Sequence, residues 1–154
     1  MPMPNGARVP TPTIFWVVAV LSLIWNAFGA FDYIQTQTEN REYLASAAQT
    51  SGVTVDALIQ HVRAMPWWGH VFWALGVWGS VAGSLLLLAR SRFALHAFLV
   101  SLLGLVVTSI LGLVDPLPGQ DDMTMPVVFT AILFAVLGAL ILYVRRMIAR
   151  RVIA

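Results

Sequence analysis

WWGHVFWALGVWGSVAGSLLLLARSRFALHAFLVSLLGLVVTSILGLV, residues 67–114, contains two long apolar runs separated by one short basic turn. Arg90 and Arg92 are the only residues of this stretch that are Arg, Lys, Asp or Glu. The runs, 67–89 and 94–114, are each about 20 residues long, the length at which an α-helix crosses a hydrocarbon core about 30 Å thick. The stretch therefore predicts two antiparallel membrane-spanning helices joined by a tight turn.

Two further apolar runs flank this pair, at 14–34 and 127–144. Hydrophobic residues make up 59% of the chain and charged residues 10%, whereas soluble globular domains carry about 25% charged residues. A soluble core of 154 residues could not shield four such runs from water. The sequence predicts an all-α fold, a single integral membrane four-helix bundle over residues 14–144. A disordered N-terminal tail is expected over 1–13, and a basic tail over 145–154.

Charged residues are divided between the two sides of the predicted membrane. One side would hold Arg8, Arg90, Arg92, Arg145, Arg146, Arg150 and Arg151, and the other Asp32, Glu39, Glu42, Asp56, Asp115, Asp121 and Asp122, with Arg41 and Arg63. Because short arginine-bearing loops are retained in the cytoplasm, the pattern predicts a bacterial inner-membrane protein with both termini cytoplasmic. A cleaved signal peptide over 14–34 is the alternative. The arginines lie beside the membrane rather than on a soluble domain, so no nucleic-acid partner is expected.

The predicted outer loop, residues 35–65, has helical character. Apolar residues recur there at spacings of three and four, at Val55, Leu58, Ile59, Val62 and Met65. This spacing predicts an amphipathic helix that lies along the membrane surface or caps the outer mouth, with Thr54 as its N-cap. We also expect a helix over 39–48 and Pro66 in the first turn of the next helix. The second outer loop, 115–125, is expected to be irregular.

Small residues repeat every four positions on three of the predicted helices, a spacing that allows membrane helices to approach closely. The predicted packing positions are Gly76, Gly79, Ser80, Gly83 and Ser84 on the second helix, Gly104, Thr108 and Gly112 on the third, and Ala131, Ala135 and Ala139 on the fourth. We interpret these faces as the contacts that hold the helices of one chain together. An interface between chains is the alternative.

The first helix carries the most unusual polar residues. Ser22, Asn26, Gly29 and Tyr33 follow one another at spacings of four, three and four, and therefore share one helix face. Asp32 lies beside this stripe, near the outer boundary. The functional hypothesis is a polar cavity that opens outward, is lined by Asn26, Asp32 and Tyr33, and binds a solute or a proton.

A packing role is the alternative interpretation of the same stripe. In that case Asn26 would hydrogen-bond to Thr108 or Ser109 on the third helix, and Asp32 would simply mark the end of the first helix. Polar side chains commonly bond across membrane helices in this way.

Metal or cofactor chemistry has weaker support. His61, Met65, His70, Met123 and Met125 all belong to the outer side and carry the soft ligands that suit Cu(I). His96 lies near the opposite side of the membrane, so it cannot share a haem with His70. No cysteine is present, and no serine has a histidine and a carboxylate at a recognisable spacing. The sequence therefore predicts no cofactor, no resident metal and no enzyme activity.

A resemblance spans nearly the whole chain. The residues that carry it are Trp25, Asn26, Ala27, Phe28, Gly29, Asp32, Tyr33, Thr36, Gln37, Thr38, Met65, Pro66, Trp67, Trp78, Gly79, Arg90, Ser91 and Arg92. With these the chain resembles a family of short four-helix proteobacterial inner-membrane proteins, generally uncharacterised, of which some members carry an automatic "sugar transporter" label. The resemblance implies membrane localisation and a possible link to transport, and it implies no catalytic or binding residue.

Two function classes follow. The first is a non-catalytic accessory or assembly subunit that packs against a larger membrane complex through its small-residue faces and its outer loop. The second is a transporter or channel for a small solute, with sugars as one candidate class. Four helices alone would not enclose a path, so this function would require oligomerisation. The expected partners are the lipid bilayer and either other membrane subunits or further copies of the chain. Sequence features that mark transporter sites, internal repeats and interrupted helices, are not evident, which favours the accessory role.

Overall fold

The computed structural model describes residues 9–153 and folds them into six α-helices without a strand. The helices are α1 (Thr13–Gln37), α2 (Arg41–Ser51), α3 (Val55–Ala64), α4 (Trp67–Leu88), α5 (Phe93–Val114) and α6 (Thr124–Ala149). Residues 9–12 have no regular structure, and the rest of the predicted N-terminal tail, residues 1–8, lies outside the described part.

The four predicted membrane spans are confirmed as long apolar helices, α1, α4, α5 and α6. Large apolar side chains point outward from them, including Leu21, Phe28 and Leu113, which are 60%, 69% and 70% exposed. Exposed apolar surface is unfavourable in water by roughly 25 cal/mol per Å², a penalty that hydrocarbon removes. The chain is therefore a multi-pass integral membrane protein.

The two ends of the long helices differ in charge. One end carries α2, α3 and the 115–123 loop, where the carboxylates lie, and we call it the acidic end. The other carries the Ala89–Arg92 turn and residues 145–153, and we call it the basic end. Of the arginines within residues 9–153, only Arg41 and Arg63 belong to the acidic end. The predicted division of charge therefore corresponds to two physical ends of the molecule.

The hydrophobic core is concentrated towards the basic end, where all four long helices meet. Phe15, Leu87, Phe98 and Val144 are fully buried there, one from each long helix. The chain after α6 folds back beneath them and buries Val152 and Ile153. The Arg90 guanidinium donates two hydrogen bonds, of 3.1 and 2.7 Å, to the Val152 carbonyl. This contact ties the α4–α5 turn to the segment after α6.

The long helices are not equally packed. α4 packs most extensively against α5, α1 packs against α4, and α6 packs against α5. α6 also reaches α1 near the basic end, where Phe15 stacks on Tyr143 with ring centroids 6.4 Å apart. Towards the acidic end α6 is less buried: its buried residues begin only at Leu137, and Val127, Val128 and Phe129 are about half exposed.

α2 and α3 form a helical cap over the acidic end. The Asn40 side chain accepts a hydrogen bond from the Tyr43 amide at the start of α2, and Thr54 accepts one from the Ala57 amide at the start of α3. The predicted N-cap Thr54 is thus confirmed, while the helix expected over 39–48 begins later because Asn40 caps it. Leu44 and Ile59 are buried beneath the cap.

Helix boundaries at α4 and α6 also differ from the predictions. Pro66 precedes α4 as its N-cap residue rather than lying within the first turn. α6 begins at Thr124 and extends to Ala149, so the first half of the predicted basic tail is helical. The physical reason is that Met147 continues the buried face of the helix, whereas Arg145 and Arg146 lie on its exposed side. The loop before α6 is irregular as predicted.

Candidate functional site

The polar residues of α1 at membrane depth bond to α4. Asn26 donates through Nδ2 to the Ser84 hydroxyl at 2.8 Å and to the Ser80 carbonyl at 3.3 Å. The Ser84 hydroxyl donates to the Ser80 carbonyl at 3.1 Å, so the 2.7 Å contact between the Ser22 and Ser84 hydroxyls uses the Ser22 proton. The Ser84 hydroxyl therefore donates one hydrogen bond and accepts two, which is its full capacity.

This network corrects the predicted partner of Asn26. Thr108 and Ser109 donate instead to carbonyls of their own helix, at Gly104 and Leu105. The packing interpretation requires a hydrogen bond from Asn26 to another helix. Ser80 and Ser84 of α4 accept that bond. Because Ser22, Asn26 and Ser84 are buried and bonded together, the two hydroxyl groups and the Asn26 amide nitrogen are engaged inside the protein.

The remaining members of the predicted stripe lie elsewhere. Asp32 is exposed at the acidic end and accepts a hydrogen bond of 2.9 Å from the Tyr43 hydroxyl. Burial, with the hydrogen bond to this carboxylate as a second cause, raises the pKa of Tyr43. Tyr33 is half-buried and packs edge-on against Trp73 and Trp78, with ring centroids 5.0 and 6.2 Å away. The stripe is divided between a buried network and an aromatic cluster.

The predicted packing residues Gly76, Gly79 and Gly104 form a close contact between α4 and α5, to which Ser101 also contributes, and we call this contact the α4–α5 seam. A Cβ on Gly104 would collide with the backbone of Gly76 and the carbonyl of Phe72. A Cβ on Gly79 would lie 3.1 Å from the Ser101 amide nitrogen. The Ser101 hydroxyl donates to the Gly76 carbonyl at 2.5 Å. Small side chains are therefore required at this seam.

Other predicted packing residues have different surroundings. Gly83 is buried, and its missing side chain leaves room for the Phe98 ring. Gly112 faces open space, with nothing within 4 Å of an added Cβ. Ala131, Ala135 and Ala139 are exposed, which corrects the prediction that they hold the chain's own helices together. The buried face of α6 is formed instead by large residues, Leu137, Leu140, Ile141, Val144 and Met147.

Histidine and methionine at the acidic end do not converge. His61 and Met65 line one cavity, whereas His70 lines another. His70 Nδ1 lies 3.3 Å from the Gln37 amide nitrogen, and Met125 is 62% exposed. Among residues 9–153 no group of three His, Cys, Asp or Glu side chains could hold a metal ion. The copper hypothesis gains no geometric support.

The cap is held in place by two ion pairs. Arg41 at the start of α2 contacts Asp56 at the start of α3 at 2.8 Å. Arg63 in α3 makes a bidentate contact with Glu39, with both nitrogen–oxygen distances at 2.5 Å. The hydrogen bonds from Arg63 hold the pKa of the Glu39 carboxyl below its usual range. The first pair joins α3 to α2, and the second joins α3 to the turn between α1 and α2.

Two cavities lie beneath the cap, and Val62 of α3 lines both. The first, which we call the tryptophan cavity, has a volume of about 200 Å³ and is lined by His61, Val62, Met65, Trp73, Thr108, Leu111, Gly112 and Asp115. The second, which we call the arginine cavity, has a volume of about 260 Å³ and is lined by Thr36, Gln37, Glu39, Leu44, Ile59, Val62, Arg63 and His70. The acidic end is thus the candidate functional site.

Sequence reasoning missed this site because its walls come from distant segments. The tryptophan cavity combines α3, α4, α5 and the residue that follows α5. One local signal was present: the open face of Gly112 belongs to a small-residue pattern that we interpreted as packing. Glu39 gave no such signal, although it adopts a positive φ of 53° that normally favours glycine.

The fold and this end of the molecule define a helical membrane protein with four apolar spans and a capped, acidic mouth. Comparison with known proteins finds no family model, no curated protein and no solved structure that matches the chain. The resemblance to short proteobacterial inner-membrane proteins therefore stays a prediction.

Proposed function

We propose that the chain is a non-catalytic accessory or assembly subunit that packs against a larger membrane complex. The observation that carries the proposal is the exposure of the alanine face of α6, Ala131, Ala135 and Ala139. Small residues at this spacing allow a second helix to approach closely in lipid. Before Leu137, where no residue of α6 is buried, a partner helix would find this face open.

The buried polar network supports the same role. A solute path through the chain would need polar groups that are free to bind the solute, whereas Ser22, Asn26 and Ser84 bond to one another. Ser101 and Thr108 are likewise bonded to backbone carbonyls. These bonds favour a structural use of the polar residues at membrane depth over a conducting one.

The proposed location is the bacterial inner membrane, with the basic end in the cytoplasm. Arg90 and Arg92 lie in a short turn, and Arg145, Arg146, Arg150 and Arg151 lie at or after the end of α6. Short basic segments of this kind are retained on the cytoplasmic side. The cap and its cavities would then face the outside, where a partner's external domain could contact them.

Purification in mild detergent from cells that express the chain at its native level, followed by native mass spectrometry, tests the proposal. We expect larger subunits at a fixed stoichiometry. Ala135→Leu should release them because it places bulk on the open face of α6. Gly29→Leu is the matched control, because Gly29 is exposed on α1 and a Cβ there meets nothing within 4 Å.

The alternative of solute transport predicts a different result. A clean homo-oligomer without other subunits would overturn the accessory role and favour a path built between copies of the chain. In that case Asn26→Leu should abolish solute uptake while leaving the oligomer intact. A lone monomer in every detergent condition would count against both functions.

A further inference from the structure

The tryptophan cavity is a pocket with an apolar interior and a polar rim. Val62, Met65, Trp73 and Leu111 contribute apolar walls. Trp73 is the seventh residue of α4, so it lies about 9 Å along the helix from the first residue at the acidic end. Asp115 immediately follows α5 and is exposed at the rim. A ligand here would have its apolar part inside the protein and its polar part beside a carboxylate.

The tryptophan cavity is empty partly because Gly112 has no side chain to fill it. Met65 and Leu111 lie so close to Gly69 that a Cβ on that glycine would come within 2.7 and 2.9 Å of their side chains. One helical position further along α5, a Cβ on Gly112 would meet nothing within 4 Å. The missing side chain of Gly112 therefore leaves part of the cavity volume empty.

The charged residues around the tryptophan cavity indicate which kind of ligand it would bind. Asp115 is the only Asp, Glu, Lys or Arg residue that lines the tryptophan cavity. Arg41 and Arg63 are engaged with Asp56 and Glu39. Five other carboxylates of the acidic end have no arginine partner among residues 9–153: Asp32, Glu42, Asp115, Asp121 and Asp122. The mouth therefore attracts cations and repels phosphate groups.

The aromatic wall favours the same class of ligand. The face of an indole attracts a cation, and desolvation strengthens this attraction. Trp73 is held by its edge-on contact with Tyr33, at a centroid distance of 5.0 Å. A volume of about 200 Å³ is below the range of roughly 300 to 1,000 Å³ typical of drug-sized ligands. The cavity therefore suits a small molecule or the end group of a larger one.

We propose that the tryptophan cavity binds a small apolar organic cation, with its charge between Trp73 and Asp115 and its apolar body against Met65 and Leu111. A quaternary ammonium group that carries a phenyl ring has this chemistry. The site is independent of the accessory role, because it uses none of the residues of the alanine face of α6.

Isothermal titration of the full chain in a non-ionic detergent with benzyltrimethylammonium chloride tests the site. We expect saturable binding at one site per chain. Neopentylbenzene, the neutral hydrocarbon of the same shape, should not displace the cation. Asp115→Asn should weaken binding about tenfold, because it removes the charge that faces the ligand.

Asp121→Asn is the matched control, because it removes the same charge from the same loop but does not line the cavity. It should change affinity by less than about twofold, as expected for an exposed, screened charge. Equal effects of the two substitutions would overturn the proposal and leave only general attraction of cations to the acidic end. Absence of saturable binding to the unmodified chain would overturn it as well.

Filling the cavity gives a second, independent test. Gly112→Leu should abolish binding of the same probe, whereas Gly29→Leu, which adds the same bulk at an open position on α1, should preserve it. Circular dichroism of both variants checks that the helices are intact. Unchanged binding to a folded Gly112→Leu variant would exclude the cavity as the site, and the Asp115 and Asp121 comparison stays decisive if that variant does not fold.

Discussion

The contact of α4 with α5 and the contact of α6 with α5 are built in opposite ways. α4 and α5 meet backbone to backbone at Gly76 and Gly104, where even one methyl group on Gly104 would collide with α4. α6 packs through large side chains such as Leu137 and Leu140, and its small residues face outward. Both helices of each pair carry small residues at four-residue spacing, so the spacing alone does not determine which face is buried.

The difference shows what a small-residue face requires. Close approach is favourable when the partner helix is also flat at the point of contact, as Gly104 is opposite Gly76. The alanine face of α6 has no such partner within residues 9–153. The alanine face can therefore contact lipid or another chain, whereas the α4–α5 seam is already buried between two helices of the same chain.

The largest effect is expected from Gly104→Leu, which should break the α4–α5 seam. Its side chain would meet the Gly76 backbone and the Phe72 carbonyl, neither of which can move without separating the helices. We expect the free energy of unfolding to fall by about 3 kcal/mol. Titration of the detergent-solubilised protein with sodium dodecyl sulfate, followed by circular dichroism, measures this change.

Gly112→Leu is the control on the same helix, because that position is open. Its free energy of unfolding should change by less than about 0.5 kcal/mol. Similar losses in the two variants would mean that added bulk in general, rather than the seam, sets the stability.

Ser84→Ala should have the next largest effect, because it removes the shared partner of Ser22 and Asn26. Two buried polar groups would lose a hydrogen bond, and we expect a loss of about 1 to 2 kcal/mol in the same unfolding assay. Ser109→Ala is the control, since the Ser109 hydroxyl donates within its own helix to Leu105. If both variants lost the same stability, the α1–α4 network would have no special role.

Arg90→Ala should loosen α6 at the one end where it joins the other helices. The substitution removes both hydrogen bonds to the Val152 carbonyl, and we expect a cost of about 1 kcal/mol. Hydrogen exchange should increase in residues 145–153 and stay unchanged in the α4–α5 seam. Arg92→Ala is the control, because Arg92 is exposed and contacts only the Phe93 ring nearby. Equal exchange in both variants would contradict the role of Arg90.

The smallest effect is expected from acidification of the cap. The pKa of Glu39 is lowered in the folded state, so the ion pair with Arg63 contributes stability above the ordinary pKa of the carboxyl. This contribution is lost as the pH falls through the lowered value. After correction for intrinsic rates, hydrogen exchange in α3 should rise over that range, while the α4–α5 seam stays protected.

Glu39→Gln should remove this pH dependence, because the amide does not titrate. Asp56→Gln serves as the control, since it breaks the other cap ion pair and leaves Glu39 in place. If the pH dependence survived in Glu39→Gln, another group would be responsible for it.

The sequence predicted the elements well where one physical quantity decided them. The four spans follow from apolar length, and the start of α3 follows from the hydroxyl of Thr54. These signals are local, because membrane insertion and helix capping depend on neighbouring residues along the chain. The small residues of α4 were likewise predicted to permit close packing, and Gly76 and Gly79 do so.

Features that depend on which helices become neighbours could not be predicted. The predicted partners of Asn26, Thr108 and Ser109, lie on α5, and only the packing of α1 against α4 selects Ser84 instead. Nor could composition reveal that Glu39 and Arg90 adopt positive φ angles of 53° and 55°. Their side chains bond to distant segments, at Arg63 and Val152, which offsets the strain of a conformation usually left to glycine.

The short turn between α4 and α5 has a consequence for how the protein is made. Only residues 89–92 separate the two helices, so they emerge from the ribosome in direct succession and enter the bilayer as an antiparallel pair. The contact between Gly76 and Gly104 lies within this pair and needs no later part of the chain. The hairpin can therefore assemble during synthesis, before α6 enters the bilayer, and provide the surface against which α6 then packs.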